Sequence, residues 1–243
     1  MSSLIETLEI TDNPHGGDLT AACQMTGLQP EEILDFSASI NPLGPPRNVE
    51  NLFAGTFRYI KEYPDPNCRA FKQDLSKTLK LDVHNISVTN GSTELIYLLP
   101  HLMDSGKELL IVSPCFSEYE RAFQLNNIPV RTLTLDPSDG FSFRMDQFLA
   151  QVRQIPSLGG IVLGNPNSPT GTFWDAKSLS PLVNFCQANS LFLFVDETFI
   201  DFANPEESLL TQFNRCHNLI LIRSMTKFFS LPGLRLGFGI MSP

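Results

Sequence analysis

Short apolar runs alternate with longer amphipathic stretches through the last two thirds of the chain. Runs of strand length occur at residues 86–89, 109–112, 130–135, 160–163, 191–195 and 219–223, most of them separated by enough residues for a helix. A further run at residues 234–240 predicts one more strand. Together they predict an α/β fold in which helices flank a mostly parallel sheet.

The segment before these runs has a different pattern. Residues 1–65 are rich in Pro, Gly and Asn, which predicts an irregular N-terminal arm. Apolar residues then recur at Phe71, Leu75 and Leu79, a spacing that predicts a surface helix over residues 69–81. Residues 66–243 are therefore expected to form the large α/β domain.

In parallel sheets ligands gather at the carboxyl ends of the strands, so the residues after each run are the first candidates for chemistry. After the first run, Gly91, Ser92 and Thr93 open a helix. Unpaired N–H groups at a helix start can bind an anion, but a hydroxyl residue followed by an acid is also an ordinary helix cap. Both interpretations stay open.

Three further strand ends carry distinctive residues. Phe116 and Tyr119 follow the second run, where an aromatic ring can stack on a flat heterocycle or simply pack in the core. Residues 164–171 form a dense turn of amide and hydroxyl side chains. Asp196 follows the fifth run, and a buried carboxylate is costly unless it pairs with a cation.

The sixth run is followed by Ser224 and, three residues later, by Lys227 among apolar neighbours. Desolvation disfavours the ammonium form, which makes the amine a better nucleophile toward a carbonyl group. The alternative is a lysine whose aliphatic stem passes apolar neighbours while its amine reaches water.

Composition narrows the classes of function. The formal net charge is −9, which argues against a nucleic-acid or anionic membrane surface and requires any bound phosphate to be held locally. Five widely spaced cysteines without a C-x-x-C pair suggest neither disulfides nor a metal site. No secretion signal or membrane-spanning run is visible, so a cytoplasmic protein is expected. Nucleotide-binding glycine signatures are also missing.

In this order the segments resemble fold-type I pyridoxal-5′-phosphate (PLP) enzymes, in the branch of histidinol-phosphate aminotransferases and threonine-phosphate decarboxylases. The most specific match is Ser224 and Lys227 followed by residues 233–237, with residues 165–171 and Asp196 at the expected distances upstream. The resemblance implies the PLP-dependent transferase fold and PLP as the cofactor.

The resemblance also implies roles for individual residues. Lys227 would form the Schiff base and later move protons on the substrate, while Asp196 would pair with the ring nitrogen and keep it protonated. Phe116 would stack on the ring. Tyr63 would reach the phosphate of a neighbouring subunit, which implies a homodimer. The phosphate would be received by Gly91, Ser92, Thr93, Ser224 and Arg235.

Two positions depart from the usual pattern. Ser168 occupies the place of the asparagine that contacts the ring hydroxyl, and Asn167 lies one residue earlier, so either could make the contact. Phe199 stands where the aminotransferases carry a tyrosine, as in the decarboxylases. The arm segments around His15 and Asn41 also look like those of the decarboxylases, where the arm covers the substrate.

The implied activity is decarboxylation of L-threonine O-3-phosphate to aminopropanol phosphate in cobalamin biosynthesis. The alternatives are a histidinol-phosphate-type aminotransferase and an inactive fragment that binds PLP. The resemblance further implies that the arm, residues 1–65, begins a small-domain region. It also implies a C-terminal small domain whose arginine holds the substrate carboxylate. No residue up to Pro243 matches that arginine, so a truncated chain with weak turnover is expected.

Overall fold

The computed structural model describes residues 16–243, and the chain divides into two compact units, Met1–Asn41 and Pro42–Pro243. His15 lies outside the described residues. The first unit contains helix α1 (Leu19–Thr26), whose start is capped by Asp18 through a 2.9 Å bond from the Ala21 N–H. The arm is therefore less irregular than the sequence predicted.

Two segments of the first unit, around Gly17 and Ser37, are joined by a hydrogen bond. The Gly17 N–H donates to Ser37 Oγ at 2.7 Å, and the Ser37 hydroxyl donates to Asp35 Oδ1 at 2.6 Å. A Cβ atom at Gly16 would lie 1.7 Å from the Ser37 carbonyl oxygen. Because that distance is far inside van der Waals contact, position 16 accepts only glycine without a backbone shift.

The second unit is built on one seven-stranded sheet. All seven predicted strands are present, and their order across the sheet is β1-β7-β6-β5-β4-β2-β3. Their bounds are β1 Ile86–Asn90, β2 Glu108–Ser113, β3 Val130–Thr134, β4 Leu158–Gly164, β5 Phe192–Asp196, β6 Leu219–Ser224 and β7 Leu236–Ile240.

Strand direction brings many chain segments to one edge of the sheet. Strands β2 to β6 are mutually parallel, whereas β7 is antiparallel to both of its neighbours, β6 and β1. Strand β1 therefore runs with the parallel set. We call the edge where β1, β2, β4, β5 and β6 end, and where β7 begins, the site edge.

Helices cover both faces of this sheet: α3 Arg69–Leu79, α6 Met145–Val152 and α7 Ala176–Ala188 pack on one face, and α4 Ser92–Leu98 and α5 Glu118–Leu125 on the other. Helix α2 Val49–Thr56 precedes them, and its Leu52 and Phe53 side chains are exposed. Helix α3 ends two residues earlier than predicted because Lys80 adopts a left-handed conformation, with φ 56°. Strand β7 begins two residues later than predicted because Arg235 is also left-handed, with φ 50°. No helix within residues 16–243 is long and apolar enough to cross a membrane.

The central strands β2, β4, β5 and β6 are buried on both faces, and this explains their continuous hydrophobic runs. In β5, Leu193 and Val195 pack into the core cluster that includes α7, while Phe194 packs into the cluster that includes α4 and α5. All three side chains are completely buried. The sheet is therefore a rigid support for the residues at its site edge.

Candidate active site

The start of helix α4 lies against strand β7 through two glycines. A Cβ atom at Gly237 would lie 2.3 Å from the Ser92 nitrogen and 2.6 Å from the Gly91 carbonyl carbon. Gly91 itself has φ 80°, a conformation that favours glycine. The first N–H groups of α4, at Ser92 and Thr93, have no partner within the helix. Two N–H groups without a helical partner thus lie at a close backbone corner, where the sequence predicted an anion site.

A cation lies directly over this corner. The Nη2 atom of Arg235 is 2.5 Å from the position that a Cβ of Gly91 would occupy, so the guanidinium packs on the bare Cα. Its Nη1 donates to the Pro232 carbonyl at 3.1 Å. Ser224 ends the neighbouring strand β6 with its side chain buried. These groups can hold a phosphate that the acidic chain as a whole would not attract.

Lys227 follows β6 at the same edge and is half-buried. Burial lowers the pKa of its amine, and the nearby Arg235 charge lowers it further. A lowered pKa increases the fraction of neutral amine, the form that attacks a carbonyl group. The structure thus provides the electrostatic environment that the sequence predicted for this lysine.

Asp196 ends strand β5, which neighbours β6, and its carboxylate is buried. Oδ1 accepts the Thr198 N–H at 2.9 Å, and Oδ2 accepts the Tyr119 hydroxyl at 2.8 Å. Burial raises the pKa of Asp196, although Thr198, Tyr119 and the charge of Arg223 oppose the shift. The carboxylate still lacks a directly bonded cation of its own among the described residues.

A buried ion pair supports the ends of β5 and β6. Glu197 is completely buried, and its Oε2 lies 2.9 Å from Arg223 Nη2 while accepting the Ser208 hydroxyl at 2.7 Å. The Leu209 N–H donates to Oε1 at 2.8 Å. Burial raises the pKa of Glu197, and the Arg223 charge opposes this. Sequence reasoning missed the pair; its only signal was a charged residue inside an otherwise apolar strand.

The two aromatics after β2 lie together. The rings of Phe116 and Tyr119 meet edge to face with centroids 5.7 Å apart, and the Tyr119 N–H donates to the Phe116 carbonyl at 3.3 Å. Phe116 is half-buried, whereas Tyr119 is buried. The sequence singled out both rings, but nothing in it indicated that the Tyr119 hydroxyl bonds to Asp196.

The turn after β4 holds two asparagines in different ways. Asn165 exchanges two hydrogen bonds with the backbone of Trp174, at 2.8 and 2.9 Å, and so shapes the turn. Asn167 donates both amide hydrogens, to the Pro114 carbonyl and the Thr170 hydroxyl, each at 2.8 Å. Its Oδ1 is buried without a partner. Ser168 is half-buried. The contact of Asn167 or Ser168 with a ring hydroxyl stays a prediction.

Phe199 belongs to a chain of aromatic rings beside Lys227. Its ring centroid lies 6.2 Å from that of Phe202, which lies 5.1 Å from Phe228; Phe228 and Phe229 are 5.2 Å apart. Phe228 directly follows Lys227. These rings form an apolar cluster that adjoins Lys227 along the chain.

The site edge fits PLP by the chemistry of its donor set. A phosphate matches the backbone corner and Arg235, an aldehyde matches the Lys227 amine, and a protonated ring nitrogen matches buried Asp196. Within residues 16–243, the buried Asn167 Oδ1 has no hydrogen-bond partner. Such orphaned atoms are rare in folded proteins and indicate a missing ligand or water.

Comparison with known proteins identifies the family. The family model for aminotransferase class I and II matches residues 31–243. This chain belongs to that family. The predicted family and fold are confirmed, and the expected PLP cofactor is confirmed at the level of the family.

Named relatives of this class I/II chain include two curated bacterial proteins. It is 32% identical over 235 residues to the threonine-phosphate decarboxylase of Salmonella typhimurium, covering 97% of this chain and 64% of the relative. It is 36% identical over 230 residues to the adenosylcobalamin biosynthesis bifunctional protein CobDQ of Leptospira interrogans, covering 94% of this chain and 26% of the relative. The chain thus spans less than two thirds of the length of these relatives.

A solved structure shows the same family fold. The histidinol-phosphate aminotransferase from Clostridium acetobutylicum superposes with a TM-score of 0.77 at 29% sequence identity, covering 86% of this chain and 60% of that one.

The remaining predicted site residues are Tyr63, Asn41 and His15. Tyr63, in the second unit, is fully exposed, and Asn41 ends the first unit with a half-buried side chain. His15 is outside the described residues. Their contacts with substrate or with a second subunit stay predictions. Within residues 16–243, no cluster of three or more His, Cys, Asp or Glu side chains could hold a metal ion.

Proposed function

We propose that this chain binds PLP covalently through Lys227, with Asp196 facing the ring nitrogen. One observation carries the proposal: the half-buried amine and the buried carboxylate stand at the ends of adjacent parallel strands, β6 and β5. The carboxylate needs a cationic partner because burial raises its pKa, and a protonated pyridine nitrogen supplies one.

The other residues of the site edge would orient the cofactor. The N–H groups of Ser92 and Thr93, with the Arg235 guanidinium, would hold the phosphate, and the Ser224 hydroxyl would complete its contacts. Phe116 would cover one ring face. Because these groups belong to one rigid sheet edge, they would hold the ring in a single orientation relative to Lys227.

When bound, PLP supplies an electron sink that stabilises negative charge on the substrate's α-carbon. Lys227 would then move a proton at that carbon, since its lowered pKa increases the fraction of neutral amine that can act as a base. Asp196 would keep the ring nitrogen protonated throughout.

Within this chemistry we propose decarboxylation of L-threonine O-3-phosphate to aminopropanol phosphate, a step in cobalamin biosynthesis. The names of the Salmonella and Leptospira relatives, at 32% and 36% identity, support this reaction. Phe199 also supports this reaction, because it has no hydroxyl at a position where the aminotransferases that this chain resembles carry a tyrosine.

A second candidate is amino-group transfer from histidinol phosphate. The likeness to the Clostridium histidinol-phosphate aminotransferase, with a TM-score of 0.77, favours it. Both reactions use the same bound cofactor and differ in which bond of the α-carbon breaks. In either case we propose a homodimer in which Tyr63 reaches the neighbouring subunit's phosphate.

Borohydride reduction tests the cofactor assignment. Purified chain incubated with PLP should retain the cofactor as a secondary amine on Lys227, located by peptide mapping. Lys227→Ala should abolish this label, while Lys177→Ala, which removes an exposed lysine on α7, should leave it intact. Equal labelling of the Lys227→Ala protein would contradict the assignment.

Substrate assays separate the candidate reactions. Carbon dioxide release from O-phosphothreonine without an added 2-oxoacid supports the decarboxylase, and glutamate formation from 2-oxoglutarate with histidinol phosphate supports the aminotransferase. PLP that remains bound and spectrally unchanged with both substrates would indicate a chain that binds the cofactor without turnover.

A further inference from the structure

Two hydrogen bonds fix the orientation of the Asp196 carboxylate. One comes from the backbone N–H of Thr198, which any residue at that position except proline could supply. The other comes from a side chain 77 positions away, the hydroxyl of Tyr119, at 2.8 Å. The second bond therefore depends on the identity of one residue.

The surroundings of Tyr119 make it a fixed donor. The side chain is 3% exposed, and burial, then the charge of Asp196, raises the pKa of the phenol well above its ordinary value of 10.0. The proton consequently stays on Tyr119 at any physiological pH. A buried hydroxyl that always donates holds its acceptor oxygen in one place.

The fold also ties Tyr119 to the predicted ring-stacking residue. Tyr119 and Phe116 share one backbone turn, and their rings touch edge to face. On the other side, Gly164 lies near the hydroxyl: a Cβ there would be in ordinary van der Waals contact with Tyr119 Oη at 3.6 Å, and only Asn167 Oδ1, at 3.3 Å, would be close. One turn thus places two groups next to each other at the site edge: the aromatic face of Phe116 and the Tyr119 hydroxyl, which donates a hydrogen bond to the Asp196 carboxylate.

We propose that Tyr119 is a positioning residue for Asp196. Its hydrogen bond to Oδ2 orients the carboxylate toward the ring nitrogen and favours the ionised form of the acid, which raises the affinity for a protonated ring. This inference rests on the proposed pairing of Asp196 with that nitrogen. It adds a residue that acts on the cofactor without touching it.

The competing role is simple packing, because the Tyr119 ring belongs to the core cluster that includes α4 and α5. Tyr119→Phe separates the two roles, since it keeps the ring and removes the hydroxyl. The probes are PLP and an analogue in which the ring nitrogen is replaced by CH. The analogue keeps the aldehyde and the phosphate but cannot pair with Asp196.

Dissociation constants of both probes should be measured by equilibrium dialysis with the full chain. Loss of a hydrogen bond to a charged group should weaken PLP binding by about tenfold, whereas the affinity for the CH analogue should not change. The matched control is Tyr97→Phe, which removes a phenol hydroxyl bonded to Glu118 and should affect neither probe. Placing 4-aminophenylalanine at position 119 restores a donor and should restore the preference for PLP.

The outcomes are distinguishable from failure of the proposed function. If the parent protein binds both probes equally, the pairing of Asp196 with the ring nitrogen is wrong. If the parent prefers PLP and Tyr119→Phe keeps that preference undiminished, the Tyr119 proposal alone is overturned. If Tyr119→Phe weakens the binding of both probes equally, the Tyr119 proposal is also overturned, since that result indicates that the residue acts only by packing. If Tyr119→Phe fails to fold, the protein with 4-aminophenylalanine at position 119 provides the test instead. Loss of its preference for PLP over the CH analogue would contradict the proposal.

Discussion

At the scale of single residues, the Asp196 carboxylate is buried where the cofactor is expected, and its negative charge is unfavourable there. Asp196 is buried, and its hydrogen bonds and the nearby Arg223 only partly offset the loss of hydration, so its pKa stays above the ordinary value of 3.8. A group in this state favours a cationic ligand, because the ligand removes a cost that the protein alone must bear.

This state predicts a pH dependence for the protein without PLP. Because the folded pKa of Asp196 is raised, folded protein binds more protons than unfolded protein between pH 3.8 and the folded pKa. Its contribution to the free energy of unfolding therefore falls as pH rises through that window and is constant above it. Urea unfolding across this range should show that Asp196→Asn removes this fall.

The comparison must be made as a difference between the two proteins, since other carboxylates such as Asp65 have lowered pKa values and give the opposite slope. A constant difference in unfolding free energy at every pH would show that the Asp196 charge is not destabilising. With PLP bound, the difference should reverse in sign, because the carboxylate then has a partner.

At the scale of elements, the approach of helix α4 to strand β7 is the most demanding contact of the site edge. Gly237→Ala would place its Cβ 2.3 Å from the Ser92 nitrogen, a backbone atom that cannot rotate away. We expect the free energy of unfolding to fall by about 1–3 kcal/mol and PLP affinity to fall with it, because the N–H groups of α4 must shift.

Gly233→Ala is the matched control, because a Cβ there meets no atom within 4 Å. Urea unfolding and equilibrium dialysis of PLP should be run on both variants. Undiminished PLP binding by Gly237→Ala, with the same folded structure, would show that the α4 corner does not hold the phosphate.

The sequence predicted elements better than it predicted contacts between them. Strands such as β5 were visible because both of their faces are buried, which leaves a continuous apolar run. The direction of β7 was not visible, since a strand has the same pattern in either direction. Helix α1 was missed because turn-forming residues surround only two turns of helix. The pattern singled out the residues at the strand ends, and the resemblance supplied their roles.

Pairs distant in sequence account for most of what was missed at the site. The Tyr119–Asp196 bond spans 77 positions and the Arg223–Glu197 pair spans 26. Each residue alone has an ordinary explanation, core aromatic or strand-end charge. The register that sets β5 beside β6 brings Arg223 to Glu197, whereas Tyr119 reaches Asp196 from helix α5.

At the scale of the whole molecule, the start of the second unit exposes many apolar side chains. Large exposed residues there are Leu43, Leu52, Phe53, Tyr59, Ile60 and Tyr63. Exposed apolar surface of this kind is typical of association sites. It supports the proposed homodimer, which sedimentation should detect as a species of twice the chain mass; a monomer at all concentrations would contradict it.

Subunit mixing tests the role of Tyr63 within such a dimer. Tyr63→Phe should weaken PLP binding by about tenfold, because a hydrogen bond to a charged phosphate is lost. Mixing it with Lys227→Ala subunits should restore tight, borohydride-trapped PLP on the Tyr63→Phe chains, since each then receives Tyr63 from its neighbour. No restoration would mean that Tyr63 acts within its own subunit or not at all.

The bonds between Asn165 and Trp174 have a practical consequence for watching the molecule work. Trp174 is the single tryptophan of the sequence, and it is anchored to the turn that follows β4 while its ring packs on Phe143. Indole fluorescence of the native chain therefore reports from one known location, without any label. Energy transfer from that indole to a bound pyridoxal chromophore would give an optical signal of cofactor arrival and departure in real time.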